Sequence, residues 1–357
     1  MTTAKTYKGG ASVDEVRSRV KAGRIYKLSS NENPLGPSPL ALAAISEVAA
    51  NLNRYPPRDD SSLRRALAQF HALDESCFFT GNGGFEVLEL IARGLLTGGD
   101  EVIICPPTFG VYARTAQAQG AVVVEVPLKE DFALDVAALL EAVTPRTRIV
   151  YLCNPNNPTG TVTSKTEFET LLNTLPKSVT LVHDDVYGDF VAREDYPDSL
   201  EYLSHKDFIA VRTFSKVYGL AGLRLGYAIA SPDLAEKMRA QHRAFHLSSF
   251  SLAAGIAALA DSEHLKKSLA LVREGKQYLY EEFEKLGIFY WPSEANFILF
   301  RSPYDATKLE HDLLECGIMI RETARNGLAD CLRVSVGTSE ANEAFIAALT
   351  ELVKGQQ

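Results

Sequence analysis

The sequence predicts an α/β fold, in which a mostly parallel, mixed sheet is covered by helices and is followed by a smaller α+β domain. The first observation is that short β-rich runs alternate with amphipathic helical patterns as far as about residue 230. Strands separated by helices need crossover connections, which favour a parallel sheet sandwiched between helices. The second is a change of pattern after Pro232, where a long helical region leads into further strands.

Seven strands are predicted in the first part of the chain, each a short apolar run bounded by turn-forming residues. They span residues 77–80, 101–105, 122–126, 149–153, 180–183, 208–212 and 225–229. Helical periodicity separates them, most clearly at residues 62–71, 85–96, 135–142 and 165–175. Because ligands bind such sheets at the carboxyl ends of the strands, the loops there are the places to search for chemistry.

The remainder of the chain predicts a smaller domain, in which a long helical region with a break near His246 precedes alternating strands and helices. These helical and strand patterns span, in order, residues 234–286, 296–300, 306–316, 331–336 and 340–353. We expect an N-terminal arm, a large ligand-binding domain and a small C-terminal domain. Their expected ranges are residues 1–30, 31–240 and 241–357.

The composition argues against a nucleic acid or a membrane as the main partner. The 357 residues include 37 Lys and Arg against 45 Asp and Glu, a formal net charge of -8, which disfavours polyanionic surfaces. No apolar run approaches the roughly 20 residues of a membrane-spanning helix. The five cysteines form no CxxC pair, as expected in a reduced compartment. We therefore expect a cytoplasmic protein with small-molecule partners and no metal site.

A lysine follows the strand predicted at residues 208–212, in the motif Thr213-Phe-Ser-Lys216, and Arg224 stands shortly after it. The amine of such a lysine could condense with an aldehyde, while Thr213, Ser215 and Arg224 could bind a nearby phosphate. The same pattern also fits an ordinary loop lysine beside hydroxyl groups that cap a helix.

Three other strand ends carry polar or glycine motifs. Residues 154–160, Asn-Pro-Asn-Asn-Pro-Thr-Gly, form a rigid turn from which an asparagine amide could donate to a ligand, or simply a turn. Asp184 could meet a protonated ring nitrogen, although Asp184 or Asp185 could equally cap a helix. The glycines of residues 81–84 could present backbone N–H groups to an anion. Since all these motifs follow successive strands, we expect them to face one edge of the sheet.

This constellation closely resembles the fold-type I aminotransferases that depend on pyridoxal phosphate, and among them the histidinol-phosphate aminotransferase family. The resemblance extends from about residue 7 to residue 353 and is more specific for the cofactor than for the substrate. Its motifs are Ser-Ser-Asn-Glu-Asn-Pro-Leu-Gly-Pro-Ser (29–38), Arg-Tyr-Pro (54–56), Cys-Pro-Pro-Thr-Phe-Gly (105–110), residues 154–160, residues 213–216, Ala-Gly-Leu-Arg-Leu-Gly (221–226) and Leu-Arg-Val-Ser-Val-Gly (332–337).

The resemblance implies a role for each residue around the cofactor ring. Lys216 would hold pyridoxal phosphate as a Schiff base and shuttle the proton between the substrate and the cofactor. Asp184 would pair with the pyridine nitrogen and keep it protonated. Asn157 and Tyr187 would hydrogen-bond the phenolic oxygen of the ring, and Phe109 would stack on its face.

The resemblance also implies how the phosphate and the substrate are held. The phosphate would lie against Gly83, Gly84, Thr213, Ser215 and Arg224, with Tyr55 reaching it from the partner subunit of an obligate homodimer with shared sites. The substrate would be bound by Tyr7, Asn33, Arg321 and Arg333, with Tyr7 contributed by the neighbour. Arginine suits this task because its planar guanidinium can bind a carboxylate or a phosphate through two parallel hydrogen bonds. Arg321 could instead be a surface cation at the end of a strand.

The implied activity is the exchange of an amino group between L-glutamate or 2-oxoglutarate and histidinol phosphate or imidazole acetol phosphate. A broad aromatic amino-acid aminotransferase shares nearly all of these motifs. A decarboxylase or oxidase of amino acids on the same fold, and a catalytically inactive sensor, are further alternatives.

Two departures from the family pattern bear on specificity. Phe85 replaces a polar residue near the phosphate, and His246, expected to be a packing residue, lies in a segment that matches the family loosely.

Overall fold

The computed structural model of the protein describes residues 12–17, 20, 23–205 and 207–355. Tyr7, which is predicted to contact the substrate, lies outside the described residues. The β-strands are β1 (Tyr26–Lys27), β2 (Phe78–Gly81), β3 (Glu101–Ile104), β4 (Val122–Glu125), β5 (Thr147–Cys153), β6 (Thr180–Asp184), β7 (Phe208–Thr213), β8 (Gly226–Ala230), β9 (Tyr290–Trp291), β10 (Phe297–Arg301), β11 (Ile318–Met319), β12 (Arg321–Glu322) and β13 (Cys331–Ser335).

The α-helices alternate with these strands in the first two thirds of the chain. They are α1 (Val13–Arg17), α2 (Pro39–Ala49), α3 (Ser61–His71), α4 (Gly83–Leu95), α5 (Val111–Ala118), α6 (Val136–Glu141), α7 (Lys165–Thr174), α8 (Pro232–Arg239), α9 (Ser249–Ala260), α10 (Ser262–Lys285), α11 (Ala306–Glu315) and α12 (Ser339–Lys354). Within the described ranges, no helix combines the length and the apolar character of a membrane span.

The central sheet has seven strands in the order β2-β8-β7-β6-β5-β3-β4. Neighbouring strands run parallel except for β8, which is antiparallel to both β2 and β7. The predicted mostly parallel, mixed sheet is therefore confirmed. The carboxyl ends of β2, β5, β6 and β7 lie at the same edge as the amino end of β8.

Helices cover both faces of this sheet because successive residues of a buried strand point to opposite faces. Val102 and Ile104 pack in one core with residues of α4, α5 and α8. Ile103, between them, packs in the opposite core with residues of α6 and α7. Both faces of β3 are apolar for this reason, as expected of a strand inside a parallel sheet.

A second, antiparallel sheet of the order β12-β13-β10-β9 forms the C-terminal α+β part. Its core is aromatic, because Phe283 of α10 and Phe345 of α12 pack on Phe300 of β10, with ring centroids 5.0 and 6.2 Å apart. Near the start of the chain, β1 pairs in parallel with β11, so the segment before the central sheet is attached to the C-terminal part. The predicted fold class is confirmed, and the domain boundaries at residues 30 and 240 stay predictions.

Local sequence explains where several helices begin and end. Ser164 and Glu167 form a reciprocal capping box at the start of α7, which satisfies two backbone N–H groups that have no helical partner. The predicted break near His246 separates α8 from α9. A further break was not predicted, and it occurs where the Asp261 carboxylate accepts a hydrogen bond from the His264 backbone, 3.1 Å away, and starts α10.

Candidate active site

The four predicted motifs meet at one edge of the central sheet. Cys153, which precedes the asparagine-proline turn, pairs with Asp184, and Asp184 pairs with Val211 near the end of β7. Gly226 pairs both with Gly81 at the end of β2 and with Thr213 at the end of β7. The glycine turn, the asparagine turn, the aspartate and the lysine loop therefore emerge side by side, as their positions after successive strands predicted.

Lys216 lies half-buried in this edge, with its amine directed at backbone carbonyls. Its Nζ donates to the carbonyl oxygens of Ser30 and Asn31, at 3.4 and 3.2 Å, and lies 5.4 Å from the centre of the Tyr187 ring. Burial, followed by the nearby positive charge of Arg333, lowers the pKa of Lys216 to about 8. A lysine with a pKa near neutrality supplies the unprotonated amine that attack on an aldehyde requires.

The two adjacent aspartates have different environments. Asp185 is engaged at both oxygens, because Oδ2 accepts from Arg212 and from Ser199, both at 2.6 Å, and Oδ1 accepts from the Tyr196 hydroxyl at 2.5 Å. Asp184 is equally buried, yet its Oδ1 has no hydrogen-bond partner in the described structure. Burial raises the pKa of Asp184 to about 6. A buried carboxylate oxygen without a donor is costly unless a ligand supplies one, so Asp184 is the aspartate that could meet a protonated ring nitrogen.

Tyr112 was not predicted as a site residue, and it holds the other oxygen of Asp184. Its hydroxyl donates to Asp184 Oδ2 at 2.5 Å, and its ring stacks on Tyr151 with centroids 4.8 Å apart. Phe109, predicted to stack on the cofactor, meets the edge of the Tyr112 ring at 5.7 Å. The spacing of Phe109 and Tyr112, one turn apart, was the only signal in the sequence that could have linked them.

The glycine turn and Arg224 form a compact cradle. Gly83 has a φ of +80°, and a Cβ on it would collide with the Arg224 guanidinium. Gly226 lies so near the turn that a Cβ there would be 2.6 Å from the backbone nitrogen of Gly84. Arg224 itself adopts a positive φ of 52°, a strained conformation that non-glycine residues keep mainly at functional sites. A guanidinium beside glycine N–H groups at a helix start could bind a phosphate.

Thr213 and Ser215 lie at the end of β7, beside this cradle. The Thr213 hydroxyl donates to the carbonyl oxygen of Leu225 at 3.3 Å and accepts from the Ser215 backbone N–H at 3.1 Å. These bonds fix the turn that leads to Lys216. The predicted phosphate residues at the start of α4, at and after the end of β7 and just before β8 are thus brought to one edge of the sheet.

Two arginines are direct neighbours in the second sheet. Arg321 of β12 and Arg333 of β13 are register partners in an antiparallel pair, so their side chains leave the same face of the sheet about 4.5–5.5 Å apart at Cβ. Arg333 is only 7% exposed; it donates to the Ser29 carbonyl oxygen at 2.9 Å and to the Asn157 side-chain oxygen. Two arginines that leave one face at this spacing could both bind one anion.

Asn31, which lies in the 29–38 motif but was not predicted to act, connects Lys216 and Tyr187 to the second sheet. Its side-chain N–H donates to the Tyr187 hydroxyl at 3.0 Å, and its side-chain oxygen accepts from Ser335 at 2.9 Å. Its carbonyl oxygen accepts from Lys216 and, at 3.1 Å, from Asn296. With a φ of 54°, Asn31 adopts a left-handed conformation that asparagine tolerates better than most residues.

We predict that Asn31→Asp lowers kcat/KM by roughly 10- to 100-fold, the scale expected when catalytic groups are misplaced by about 1 Å. The aspartate keeps the left-handed backbone and the Ser335 bond but cannot donate to Tyr187. Tyr187 then becomes a weaker donor, so the pH at which bound cofactor changes its absorbance should rise. Spectral titration and steady-state kinetics measure both effects. An Asn31→Asp enzyme with unchanged kinetics and an unchanged spectral midpoint would show that Asn31 is merely structural.

The two remaining predicted residues, Asn33 and Tyr55, contact other parts of the same chain. Asn33 donates to the Val217 carbonyl oxygen and to the Ser268 hydroxyl, both at 2.8 Å, and its contact with substrate stays a prediction. Tyr55 is 84% exposed and stacks on Phe245, with ring centroids 5.1 Å apart. Its predicted role in a partner's site also stays a prediction.

These features fit pyridoxal phosphate without adjustment. The partnerless Asp184 oxygen suits a protonated pyridine nitrogen. The Arg224 guanidinium, which lies where a Cβ of Gly83 would be, suits the phosphate. Lys216, with its lowered pKa, suits the aldehyde. The three requirements are met by residues that the sheet topology brings to one edge.

Comparison with known proteins agrees with this fit. The profile of the family described as "Aminotransferase class I and II" matches residues 24–349. Histidinol-phosphate aminotransferases of Moorella thermoacetica and Symbiobacterium thermophilum are each 40% identical, over 98% and 97% of this chain and 91% and 95% of their own lengths. The structure of histidinol-phosphate aminotransferase from Sinorhizobium meliloti in complex with pyridoxal-5'-phosphate superposes with a TM-score of 0.90 at 26% identity, covering 100% of this chain and 98% of that one.

The family profile spans nearly the whole chain, including both sheets and the predicted site residues from Asn33 to Arg333. The predictions of an aminotransferase and of pyridoxal phosphate as its cofactor are confirmed at the level of the family. A half-buried lysine, a partnerless buried carboxylate oxygen and a glycine cradle at one sheet edge are what such an enzyme requires, and the chain belongs to the class I and II aminotransferases.

Proposed function

We propose that the chain transfers an amino group between L-glutamate or 2-oxoglutarate and histidinol phosphate or imidazole acetol phosphate. The observation that carries this proposal is the pairing of Arg321 with Arg333 on one sheet face, next to the Lys216 site. Two guanidinium groups suit a substrate with a phosphate better than they suit an uncharged aromatic side chain. The names of the relatives that are 40% identical support the same substrate.

Pyridoxal phosphate, when bound, supplies an electron sink that stabilises negative charge at the substrate Cα. Lys216 would move the proton. Its Nζ would take the proton from the substrate Cα and would then return it on the cofactor side. A pKa of about 8 lets the same amine accept and release a proton near neutral pH. Because Lys216 both takes up and returns the proton, no other acid or base would be consumed in the complete reaction.

Asp184 would hold the ring nitrogen of the cofactor in its protonated form. Its carboxylate is buried, and Tyr112 occupies only one of its oxygens. The free energy that burial costs the charged carboxylate is recovered when a cation pairs with it. Tyr112 is then a positioning residue, because it fixes the orientation of the carboxylate.

Arg333 and Arg321 would bind the acidic groups of the two alternative substrates. Arg333, held by Asn157 and by the Ser29 carbonyl oxygen, would take the carboxylate of glutamate. Arg321 is half-buried beside it and would add the second guanidinium that a phosphate can use. Tyr187 would hydrogen-bond the phenolic oxygen of the cofactor, with Asn31 holding its hydroxyl group.

We further propose a cytoplasmic homodimer with shared sites. Tyr55 is exposed and stacks on Phe245, which is also exposed. An exposed aromatic pair of this kind suits a subunit interface, from which Tyr55 would reach the neighbouring site, and the resemblance gives Tyr7 a similar role. All five cysteines are free thiols, which suits a reduced compartment. Domain limits near residues 30 and 240 are part of the same proposal.

We predict that Arg321→Ala lowers kcat/KM for histidinol phosphate by about 30- to 150-fold, equivalent to about 2–3 kcal/mol for charged hydrogen bonds. The glutamate half-reaction should change by less than about 5-fold, because Arg333 still binds its carboxylate. Arg325→Ala, an exposed arginine of the same loop region, is the matched control and should leave both half-reactions unchanged. Equal losses for the two substrates would show that Arg321 is not the phosphate ligand.

A stopped-flow screen of amino donors tests the substrate itself, by following the absorbance of the bound cofactor. We expect histidinol phosphate and glutamate to convert the cofactor to its amine form. Phenylalanine should do so with a lower kcat/KM than either. A preference for phenylalanine would identify a broad aromatic aminotransferase instead. Consumption of donors without formation of the amine form of the cofactor would point to a decarboxylase or oxidase.

A further inference from the structure

We propose that Asp60, His242 and His246 form a binding site for a divalent transition-metal ion such as Zn²⁺, outside the active site described above. One ligand atom from each of the three residues lies within 4.8 Å of the other two. Zn²⁺ binds imidazole nitrogen and carboxylate oxygen at about 2.0–2.2 Å. The two imidazoles are stacked 4.0 Å apart, so side-chain rotations that turn their nitrogens toward one point would bring all three groups around one ion. Two imidazoles and one carboxylate, with a position left for water, are a ligand set typical of zinc and its neighbours in the first transition series.

The three residues come from separate parts of the fold. His242 and His246 lie in the connection between α8 and α9, with their rings stacked at 4.0 Å. Asp60 immediately precedes α3 and is 2% exposed. Thr80, at the end of β2, lies between these two segments. The site would therefore fix the connection after α8 to the edge of the central sheet.

Hydrogen bonds already orient each imidazole as metal-binding histidines are oriented. His242 Nε2 contacts the Thr80 carbonyl oxygen at 2.8 Å, and the backbone of Arg243 hydrogen-bonds the His246 ring. A histidine that donates one N–H to a backbone carbonyl presents its other nitrogen as a lone pair, which is the usual second contact of a metal ligand.

The carboxylate is supported in the same way. Asp60 Oδ1 accepts from Arg64 at 2.9 Å, and Oδ2 accepts from the Thr80 hydroxyl at 2.7 Å. The Thr80 hydroxyl also contacts His246 Nε2 at 3.1 Å, a contact that a bound ion would replace. Asp60 keeps further lone pairs on Oδ2, and Arg64 would remain as its outer partner.

The surroundings of the two histidines give a bound ion access to water. A cavity of about 270 Å³ opens beside the two histidines and is also lined by Glu86, Glu89, Arg93 and Arg243, two residues of each charge. Water in this cavity could complete the coordination of the ion.

The site adjoins the phosphate cradle without including it. The Asn82 side chain donates to the His246 carbonyl oxygen at 2.7 Å, and Asn82 directly precedes Gly83. A bound ion would restrain His246 and, through Asn82, the start of α4. We therefore expect the ion to stabilise the holoenzyme against heat while leaving the residues of the transamination chemistry unchanged.

Equilibrium dialysis of the holoenzyme against Zn²⁺, followed by metal analysis, tests the site. We expect one Zn²⁺ per chain, lost in His242→Gln and in His246→Gln, with an affinity at least about 10-fold weaker in Asp60→Asn. His311→Gln is the control, because His311 is a surface histidine with a 70% exposed side chain, and its Zn²⁺ uptake should equal that of the unaltered enzyme. Zn²⁺ should also raise the melting temperature of the unaltered enzyme and not that of the histidine variants.

Each variant is compared only after its pyridoxal phosphate content has been shown to match that of the unaltered enzyme, which verifies its fold. If a histidine variant fails this check, Asp60→Asn, which preserves shape, decides the question. Failure of the unaltered enzyme to take up Zn²⁺, or uptake unchanged in every variant that passes the check, would overturn the site. In either case Asp60, Thr80 and His246 would form only a hydrogen-bonded network.

Discussion

Replacing Lys216 by alanine will abolish transamination, with kcat falling by more than about 10⁴-fold. Proton transfer by a positioned side chain alone contributes about 10²–10⁴-fold, and Lys216→Ala also removes the amine that bonds to the cofactor. Because the phosphate cradle and Asp184 remain, the variant should still bind pyridoxal phosphate, now without a covalent bond. Steady-state kinetics measure the first effect, and the cofactor's absorbance measures the second.

Lys276→Met is the matched control for Lys216→Ala. Lys276 is also a largely buried lysine, it donates to the Ser293 carbonyl oxygen at 2.7 Å, and burial lowers its pKa. Lys276 has no predicted part in the chemistry. Its loss should therefore leave kcat within about 3-fold of the original, because no interaction made only in the transition state is removed. Near-normal turnover in Lys216→Ala would contradict the mechanism, whatever the control does.

Asp184→Asn is expected to lower kcat by about 10²- to 10⁴-fold, because the ring nitrogen of the cofactor is no longer held in its protonated form. Asparagine keeps the shape of aspartate and can still accept the Tyr112 hydrogen bond. Pyridoxal phosphate should therefore still bind through the cradle and Lys216. A variant that retains its cofactor and loses turnover would separate this electronic role from a role in binding.

The folding stability of Asp184→Asn, unlike its kcat, should not fall. Burial raises the pKa of Asp184 to about 6 in the folded protein, from an unfolded value of 3.8. Between these two values the folded protein binds more protons than the unfolded chain, so stability falls as the pH rises, by on the order of 3 kcal/mol once pH 6 is passed. The cofactor-free variant should then be no less stable at pH 8 than the cofactor-free original enzyme. A strongly destabilised variant would indicate that Asp184 is mainly structural.

Much of the site was predictable because its residues follow strands. Lys216, Asp184, Asn157 and the glycines of residues 81–84 each stand just past an apolar run, and parallel strands bring their carboxyl ends together. Four of the helices that flank these strands, α3, α4, α6 and α7, were predicted to within two residues, because burial of one face fixes their periodicity, whereas α5 was not predicted. The motifs therefore encode both the sheet and the edge at which the chemistry takes place.

Contacts between distant segments could not be derived in this way. Asn31 acts through hydrogen bonds to Tyr187, Lys216 and Ser335, and no periodicity links these positions. The pairing of Arg321 with Arg333 depends on an antiparallel register, which a shift of one residue would reverse. The meeting of Asp60 with His246 depends on how the connection between α8 and α9 folds back on the sheet. Each of these requires the tertiary structure.

Borohydride reduction of the purified enzyme with pyridoxal phosphate, followed by peptide mass mapping, traps the Schiff base at Lys216. We expect a yellow holoenzyme in which reduction fixes one cofactor per chain, with the added mass on the peptide that contains Lys216. A protein that stays colourless with the cofactor and carries no added mass at position 216 after reduction would contradict this expectation.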